Sequence, residues 1–490
     1  MQINIFFYVK KNDIIFTREG DIVKLPNMLE AKKRTTAIPK FFDYEDNKSK
    51  FGLGKKYFIR TYGCQMNEHD SENIKGLLES AGFSESEDLN SSDVVIMNTC
   101  AIRENAHNKV FGFLGQMKKL KEVNPNIIVC ICGCMAQEKS VVDEIMKKYK
   151  WVDLVFGTHN LNEMLSYLEK NIINKEKIIE VESIEGNVCE GLPVKRDSKI
   201  TAWVNIILGC DKFCTYCIVP YTRGKQRSRK KEDIINEIIE LKESGYKEVT
   251  LLGQNVNAYG KDLYDNYDLA DLLNDVSNIG IERIRFVTSH PWDFTDRMIE
   301  IIKTKENVMP YVHLPIQSGS NRILKLMGRR YTKEEYLKLF DKLSDIENIS
   351  ITTDIIVGFP GETEEDFNET IDVVNKCKFD GAYTFIFSPR ENTPASLMED
   401  NISEEEKNNR LQRLNKIVNK YSNENNKKYM GKIVKCLILG ESEKDSSKIM
   451  GYTENMKLVN IEGDKSLIGK IVNVKITDAK SFSLDGKIEE

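Results

Sequence analysis

Three cysteines on one short loop constrain this chain more than any other feature. Residues 209–229 contain Cys210, Cys214 and Cys217 in the spacing Cys-x3-Cys-x2-Cys. Thiolates at this spacing indicate a metal site, and soft thiolates select zinc, copper(I) or iron-sulfur clusters. A closed zinc site needs four ligands and favours paired Cys-x2-Cys spacings, so zinc completed by a distant residue is the weaker alternative. Three cysteines favour an iron-sulfur cluster with one iron open to a small molecule.

Composition limits the remaining possibilities. With 490 residues and 40% hydrophobic content, the chain is long enough for about three globular domains. Its 11 cysteines, without a secretory signal, indicate a reducing compartment in which they serve as metal ligands or core residues. The apolar run at 5–9 is too short for a signal peptide or a membrane span, so we expect a cytoplasmic protein with no membrane partner. The formal net charge of -5 disfavours nucleic-acid binding except through local patches.

The segment 55–172 is predicted to form an amino-terminal parallel α/β domain. Short apolar runs with β-branched residues alternate there with helix-like stretches. Cys64, Cys100 and Cys134 each follow directly on one of these runs. Ligands gather outside the carboxyl ends of parallel strands, so these cysteines can converge on a second metal site. Taken singly, each of them is more often a buried core residue.

The choice of the third cysteine depends on where the strand-like run at 127–132 ends. Cys130 and Cys132 lie within this run, and we interpret them as core residues. Cys134 instead follows Gly133, a residue type that commonly ends a strand and turns the chain. We therefore predict Cys134 as the third ligand of the second site.

Residues 196–427 are predicted to form an open (β/α)6 partial barrel, after a charged connector at 173–195. Six apolar runs alternate there with helix-like segments, and the runs are 202–208, 248–252, 283–287, 311–316, 350–357 and 382–387. Repeated βα units indicate a parallel barrel with its active site at the carboxyl ends of the strands. The three-cysteine loop follows the first of these strands, where such a site belongs.

Polar residues at the ends of the barrel strands are candidates for cofactor binding. They are Gln254, Asn255, Ser289, Gln317 and Gly358, together with Tyr216 from the three-cysteine loop. Polar groups at these positions can bind the amino, carboxylate and ribose parts of a cofactor. Each residue, taken singly, is equally typical of an ordinary turn or cap.

The sequence patterns at the two ends of the chain differ from the alternating βα pattern of its centre. Residues 1–52 show no sustained periodicity, and we predict an accessory or disordered extension. Residues 428–490 contain short alternating runs separated by Gly and Asp, which predict a small carboxy-terminal antiparallel β-barrel. The complete chain is therefore expected to be an α/β protein with three folded domains.

A basic run follows the three-cysteine loop. It contains Arg223, Lys225, Arg227 and Arg229. Clustered cations of this kind bind phosphates, so we predict that these four side chains contact RNA. A solvated surface without a partner is the alternative, because charge runs commonly have no other role.

Several motifs outside the loop resemble one family. They are Thr61-Tyr62-Gly63-Cys64-Gln65-Met66-Asn67, Asn98-Thr99-Cys100-Ala101-Ile102-Arg103-Glu104, Gly133-Cys134-Met135-Ala136-Gln137, Leu252-Gly253-Gln254-Asn255, Thr288-Ser289-His290-Pro291 and His313-Leu314-Pro315-Ile316-Gln317-Ser318-Gly319. Together with the three-cysteine loop and residues 353–362, they resemble the radical S-adenosylmethionine methylthiotransferases. The resemblance covers roughly residues 55–490.

The resemblance implies two 4Fe-4S clusters and S-adenosylmethionine as cofactors. One cluster would be bound by Cys210, Cys214 and Cys217 and cleave S-adenosylmethionine reductively, while Cys64, Cys100 and Cys134 would bind the cluster that presents sulfur. The implied substrate is N(6)-dimethylallyladenosine in the tRNA anticodon stem-loop, and residues 428–490 resemble the RNA-binding TRAM module. A flavodoxin- or ferredoxin-like reductant and a sulfur donor are the implied partners.

Other functions remain open at this point. Related methylthiotransferases act on threonylcarbamoyl-adenosine of tRNA or on an aspartate of a ribosomal protein. By resemblance, the runs Cys-Asp-Lys-Phe-Cys at 210–214 and Arg-Gly-x-x-Arg-Ser-Arg at 223–229 favour the isopentenyladenosine enzymes. A non-catalytic RNA-binding protein with zinc sites is the alternative of another class. An iron- and sulfide-containing preparation would distinguish the enzyme from the zinc protein.

Overall fold

The structure is a computed structural model that describes residues 14–16, 22–24, 39–45, 49–101, 104–181, 187–443 and 445–489. The apolar run at 5–9, Ile102 and Arg103 of one motif, and Gly186 of the connector lie outside the described residues. No helix in the described part of the chain is long and apolar enough to cross a lipid bilayer.

The amino-terminal domain is a parallel sheet with helices on both faces. In spatial order its strands are Ser84–Glu85, Lys56–Tyr62, Val94–Thr99, Ile128–Gly133, Leu154–Phe156 and Ile178–Glu180. Its helices are Gln65–Ser80, Glu104–Val123, Lys139–Lys148 and Met164–Asn174. Alternate residues of the central strands enter two separate hydrophobic clusters, one on each face. Burial on both faces explains why these strands are continuous apolar runs in the sequence.

Parts of the two segments outside the predicted domains are folded. Lys40–Asp43 pairs in parallel with Asn187–Glu190, and Ile14–Phe16 pairs with Ile22–Lys24. The connector predicted at 173–195 also supplies Ile178–Glu180, the edge strand of the amino-terminal sheet. The described parts of residues 1–52 thus contain short strands, and the prediction of an accessory or disordered extension stays a prediction. Strands of three or four residues are too short to show periodicity in a sequence.

The central domain contains six parallel strands in two three-stranded sheets. The first sheet is Thr201–Asn205, Glu248–Leu252 and Arg283–Phe286, and the second is Tyr311–His313, Ser350–Val357 and Gly381–Ile386. The longer helices are Lys231–Glu243, Leu269–Ile279, Asp296–Thr304, Lys333–Ser344, Glu364–Cys377 and Glu404–Lys427. One hydrophobic cluster includes residues of both sheets and these helices. The first and last strands do not pair with each other in the described structure, so the predicted open barrel is confirmed.

The carboxy-terminal domain is a closed five-stranded barrel. Its strands are Ile433–Ser442, Asp445–Thr453, Leu458–Glu462, Ile471–Ala479 and Leu484–Ile488. Its core is a small cluster of aliphatic side chains around Cys436. The small barrel agrees with the prediction, except that Leu458–Glu462 and Leu484–Ile488 pair in parallel.

Candidate active site

A glycine at the start of the three-cysteine loop lets the two ends of the loop approach each other closely. Gly209 has φ of +73°, and a Cβ atom there would overlap the backbone oxygen of Lys225. Glycine is therefore required for this close approach. The turn leaves Cys210 and Cys214 buried and Cys217 half-buried. We call these three cysteines the barrel triad.

Later segments of the barrel fix the loop from the other side. The backbone N–H of Thr215 donates to the oxygen of Met327 at 2.9 Å, and its hydroxyl donates to the oxygen of Leu326 at 2.8 Å. Arg329 donates from Nη1 to Sγ of Cys214 at 3.5 Å. The loop is thus attached to a distant part of the chain by hydrogen bonds within the protein.

The donor set of the barrel triad fits an iron-sulfur cluster. Burial raises the pKa of Cys217 to about 12, and the neighbouring charge of Cys214 adds to the increase. Burial also raises the pKa of Cys210, so these thiols need an added positive charge to ionise. Among the described residues, no three Cys, His, Asp or Glu side chains are placed to bind a single metal ion. Three cysteine sulfurs are the ligand type by which proteins hold iron-sulfur clusters.

Two polar atoms near the barrel triad are buried without a hydrogen-bond partner among the described residues. They are Oδ1 of Asn255 and Oγ of Ser289, and their residues are 1% and 4% exposed. Both follow strands of the first sheet at the carboxyl end, as predicted. Because an unpaired buried polar atom is costly, these two positions are suited to a polar ligand such as S-adenosylmethionine.

Three other predicted cofactor residues already have internal partners. Oε1 of Gln254 accepts a hydrogen bond from the backbone N–H of Gly209 at 2.5 Å, so it supports the three-cysteine loop. The N–H of Gly358 donates to Oε2 of Glu362 at 2.7 Å. Gln317 has φ of +73° and bridges to the neighbouring strand through its backbone. Direct contact of these residues with a cofactor stays a prediction.

The aromatic candidate for cofactor binding is Tyr216 of the three-cysteine loop. Tyr216 packs against a small hydrophobic cluster that contains Phe359 and Phe387. Burial raises its pKa well above the ordinary value, so the phenol stays neutral. Its role toward the cofactor also stays a prediction.

A charged cluster beside Asn255 was not singled out from the sequence. Asp293 is buried and accepts from Asn255 at 2.7 Å, from Lys212 at 2.6 Å and from Lys261 at 2.7 Å. Burial alone would raise the pKa of Asp293, but these hydrogen bonds lower it to about 2. Lys212 belongs to the three-cysteine loop, so the cluster connects this loop to the ends of the second and third strands. One feature of the sequence could have indicated Asp293, namely its position shortly after the predicted strand-end residue Ser289.

The cysteines of the amino-terminal domain are brought together at the carboxyl edge of its sheet. Cys64 precedes the helix Gln65–Ser80, Cys100 follows Val94–Thr99, and Cys134 begins a short helix after Ile128–Gly133. A hydrogen bond with the Cys100 thiol, the charge of Arg223 and backbone N–H groups lower the pKa of Cys64 to about 5 despite its burial. We call Cys64, Cys100 and Cys134 the auxiliary triad.

The other two cysteines of this sheet lie in its core. Cys130 and Cys132 are fully buried in the hydrophobic cluster on one face, and burial raises the pKa of both thiols well above the ordinary value. Gly133 has φ of +91° and turns the chain just before Cys134. A Cβ atom there would overlap Oδ1 of Asn98, so only glycine fits. This arrangement supports Cys134 as the predicted ligand.

The two triads border one buried interface between domains. Ile218, directly after Cys217, forms a small buried cluster with Ala101 and Cys134 of the amino-terminal domain. Thr158 donates from its hydroxyl to the backbone oxygen of Thr222 at 2.7 Å and adds a second contact. The sequence placed the triads in separate domains, and the tertiary structure places them side by side.

The basic run differs from the surface patch that the sequence suggested. Arg223, Lys225 and Arg227 are each about 5–6% exposed. Arg229 pairs with Glu190 at 2.6 Å and with Glu237 at 2.8 Å. The run is therefore internal, because it follows the buried loop into the interface between domains. RNA contact by these four residues stays a prediction that would require the interface to open.

A cavity of about 610 Å³ lies between the amino ends of the barrel strands and the carboxy-terminal domain, on the side of the barrel away from the barrel triad. Aromatic side chains line it, including Trp203, Tyr311 and Tyr383 of the barrel and Tyr452 of the carboxy-terminal domain. The sequence alone did not indicate this cavity, because its walls come from strands that are far apart in the chain.

Comparison with known families agrees with this arrangement of domains. The Radical SAM superfamily matches residues 204–374, Uncharacterized protein family UPF0004 matches residues 56–157, and the TRAM domain matches residues 427–488. Among solved structures, the radical S-adenosylmethionine methyltransferase TsrM of Kitasatospora setae is similar in fold, with a TM-score of 0.50 and 13% identity. That similarity covers 70% of this chain and 75% of the other.

Curated relatives are similar over almost the complete chain. The tRNA-2-methylthio-N(6)-dimethylallyladenosine synthase of Staphylococcus haemolyticus is 51% identical over 475 residues, which are 96% of this chain and 92% of the relative. The enzyme of the same name from Oceanobacillus iheyensis is 53% identical over 470 residues, or 95% and 91% of the two chains. These matches confirm the family that the motifs predicted. The chain therefore belongs to the family of tRNA-2-methylthio-N(6)-dimethylallyladenosine synthases.

Proposed function

We propose that this protein adds a methylthio group to carbon 2 of N(6)-dimethylallyladenosine next to the tRNA anticodon. The observation that carries the proposal is the placement of two separate cysteine triads along one buried interface. The full-length relatives are named for this product, and the TRAM match supports an RNA substrate. An RNA substrate of this kind also supports a cytoplasmic location.

The two triads would bind the two 4Fe-4S clusters of the reaction. When bound, the barrel cluster supplies the electron that cleaves S-adenosylmethionine, and the auxiliary cluster supplies sulfur for the new carbon-sulfur bond. The three thiolates of the barrel triad leave one coordination position for S-adenosylmethionine. Arg329 orients Cys214, and burial of the loop excludes water from it.

The residues at the strand ends would orient S-adenosylmethionine. Oδ1 of Asn255 and Oγ of Ser289 are available to accept or donate hydrogen bonds to its polar groups. Nδ2 of Asn255 donates a hydrogen bond to Asp293, and this contact fixes the orientation of the unpaired Oδ1 atom. By resemblance to the family, one S-adenosylmethionine would supply the methyl group and another the 5'-deoxyadenosyl radical.

The substrate base would enter the lumen of the open barrel. A base becomes accessible to an enzyme only after it leaves its stack, and aromatic side chains then replace the stacking partners. A flavodoxin- or ferredoxin-like reductant and a sulfur donor complete the set of partners that the reaction requires.

One assay tests the proposal. Reconstituted protein is incubated without oxygen with S-adenosylmethionine, dithionite and either unmodified or isopentenylated tRNA, and nucleoside masses are measured. We expect the 2-methylthio product from isopentenylated tRNA alone, and none from a Cys217→Ala control. A parallel incubation uses threonylcarbamoylated tRNA, and product from that tRNA in place of isopentenylated tRNA would contradict the proposed substrate.

A further inference from the structure

Arg223 belongs to the barrel domain, but its side chain contacts the cysteines of the other domain. It follows the barrel triad in the chain, after the short helix Val219–Thr222. Its Nε donates to Sγ of Cys134 at 3.1 Å, and its Nη2 donates to Oδ2 of Asp70 at 2.6 Å. The residue is 6% exposed, so both contacts are shielded from water.

The charges around the auxiliary triad give this arginine a specific role. Arg223, Asp70 and Glu68 are charged side chains that interact with Cys64 or Cys134. Arg223 is the cation among them, whereas three thiolates and a cluster would add further negative charge to the carboxylates. An arginine guanidinium stays protonated in proteins, and Asp70 pairs with Arg223 at 2.6 Å. The guanidinium therefore keeps its positive charge in the buried interface.

We propose that Arg223 is a positioning residue for the auxiliary cluster, whose hydrogen bond and charge at Cys134 raise the reduction potential of that cluster. The proposal rests on the proposed function, because it assumes that the auxiliary triad binds a cluster. Hydrogen bonds to ligating sulfur and nearby positive charge stabilise the more reduced, more negative state of an iron-sulfur cluster.

The contact of Arg223 with Cys134 also depends on how the barrel docks on the amino-terminal domain. The cation is supplied by the barrel segment that begins at the barrel triad, so the auxiliary site is electrostatically complete only when the domains are docked. Ile218 and the hydrogen bond between Thr158 and Thr222 fix the same segment on the amino-terminal domain. Docking of the barrel and the potential of the auxiliary cluster are therefore coupled through one side chain.

The test uses the full-length chain with Cys210, Cys214 and Cys217 replaced by alanine, so that the auxiliary triad alone can bind a cluster. Arg223→Gln and Arg223→Lys are introduced into this background. Arg229→Gln is the matched control, since Arg229 is another buried arginine of the same run that pairs with Glu190 and Glu237. Iron content is measured, and electron paramagnetic resonance follows a redox titration with dithionite.

We expect Arg223→Gln to shift the one-electron reduction equilibrium at least tenfold toward the oxidised cluster, which is about 59 mV lower in potential. Arg223→Lys should retain most of the wild-type potential because it keeps the charge, and Arg229→Gln should not change it. If Arg223→Gln loses iron, retention of iron in Arg223→Lys and Arg229→Gln supports the proposal equally.

Two results would overturn it. Equal potentials in the parent chain, Arg223→Gln and Arg229→Gln would show that the guanidinium does not act on the cluster. Equal loss of iron in both glutamine variants would show a general packing effect of buried arginines. These outcomes differ from failure of the proposed function at the auxiliary triad, in which the parent chain without Cys210, Cys214 and Cys217 would bind no iron; that result would overturn both the cluster and the role of Arg223.

Discussion

Arg285 donates a hydrogen bond from Nη1 to the backbone oxygen of Glu454 at 2.7 Å, and this contact joins the open barrel to the carboxy-terminal domain. Its Nη2 donates to the oxygen of Thr453 at 2.9 Å, and its Nε pairs with Glu248 at 2.9 Å. Arg283 adds a contact from its own guanidinium to the oxygen of Tyr452. Two arginines of one strand therefore fix the small domain on the amino end of the barrel.

Replacement of Arg285 by methionine should destabilise the docking of the carboxy-terminal domain. The change removes three hydrogen bonds and leaves Glu248 buried without its partner, a loss of about 3–5 kcal/mol for a buried pair. Chemical denaturation measures the loss, and hydrogen exchange in Ile433–Ser442 should become faster. The control is Arg297→Met. The exposed Arg297 side chain forms ion pairs with Asp268 and Asp271, and the loss of such surface pairs should cost at most about 1 kcal/mol of stability. Equal losses in the two variants would contradict the role of Arg285.

The third ligand of the auxiliary triad can be identified by serine substitution. We expect Cys134→Ser to lower the iron content of the reconstituted protein, because Cys134 lies at the sheet edge beside Arg223. Cys130→Ser and Cys132→Ser should keep the iron and lose stability, because each places a hydroxyl in an apolar core. Iron loss in Cys132→Ser with retention in Cys134→Ser would show that the ligand lies two residues earlier.

The two triads should divide the reaction between them. Replacing Cys64, Cys100 and Cys134 together by alanine should leave one cluster and preserve formation of 5'-deoxyadenosine, while the methylthio product disappears. Replacing the barrel triad should abolish both products. Liquid chromatography of 5'-deoxyadenosine and mass analysis of the tRNA nucleosides measure the two steps separately. Cleavage of S-adenosylmethionine without the barrel triad would mean that the roles of the triads are reversed.

Ser289 should affect ligand binding without supporting the fold. Its hydroxyl is buried without a partner in the described structure, so Ser289→Ala should not destabilise the cofactor-free protein. Loss of a hydrogen bond to S-adenosylmethionine should weaken binding about tenfold.

Ser320→Ala is the matched control for Ser289→Ala. Ser320 caps the helix Asn321–Leu326 through a hydrogen bond from Ile323, so its loss should cost about 1 kcal/mol of stability and leave binding unchanged. Equilibrium dialysis and thermal unfolding measure the two effects. Unchanged affinity in Ser289→Ala would remove Ser289 from the cofactor pocket.

Acid should weaken the contact between the amino-terminal domain and the barrel. Nδ1 of His69 and Nδ2 of Asn205 form a hydrogen bond of 3.0 Å across this interface. Burial lowers the pKa of His69 to about 4, although the charges of Glu237 and Asp70 oppose the decrease. The unfolded chain, with an ordinary histidine pKa near 6.5, takes up a proton first as the pH falls.

The folded state should therefore lose up to about 3 kcal/mol of stability through His69 between pH 6.5 and pH 4. Denaturation measured across this range should show a smaller acid-dependent loss in His69→Gln, which cannot be protonated. Identical pH profiles in the two proteins would show that His69 does not contribute.

The tertiary structure changed the interpretation of several residues. Arg223 and Arg229 form an ordinary basic run in the sequence, and nothing in their spacing shows that buried partners surround them. Those partners, such as Asp70 and Glu190, are far away in the chain and come close only when the domains dock. Asp293 was missed for the same reason, because its three partners belong to three different segments.

The sequence by itself determined the family, and it predicted the order of the domains and the two cysteine triads, since these predictions depend on short spacings and on strand periodicity. Cys134 could be preferred over Cys132 because Gly133 marks a local turn, and local geometry is encoded by neighbouring residues. The contact of Ile218 with Cys134, the unpaired atoms of Asn255 and Ser289, and the internal position of the basic run were decided by the tertiary structure alone. Burial and pairing depend on which distant segments pack together, and residue spacing carries no direct information about that packing.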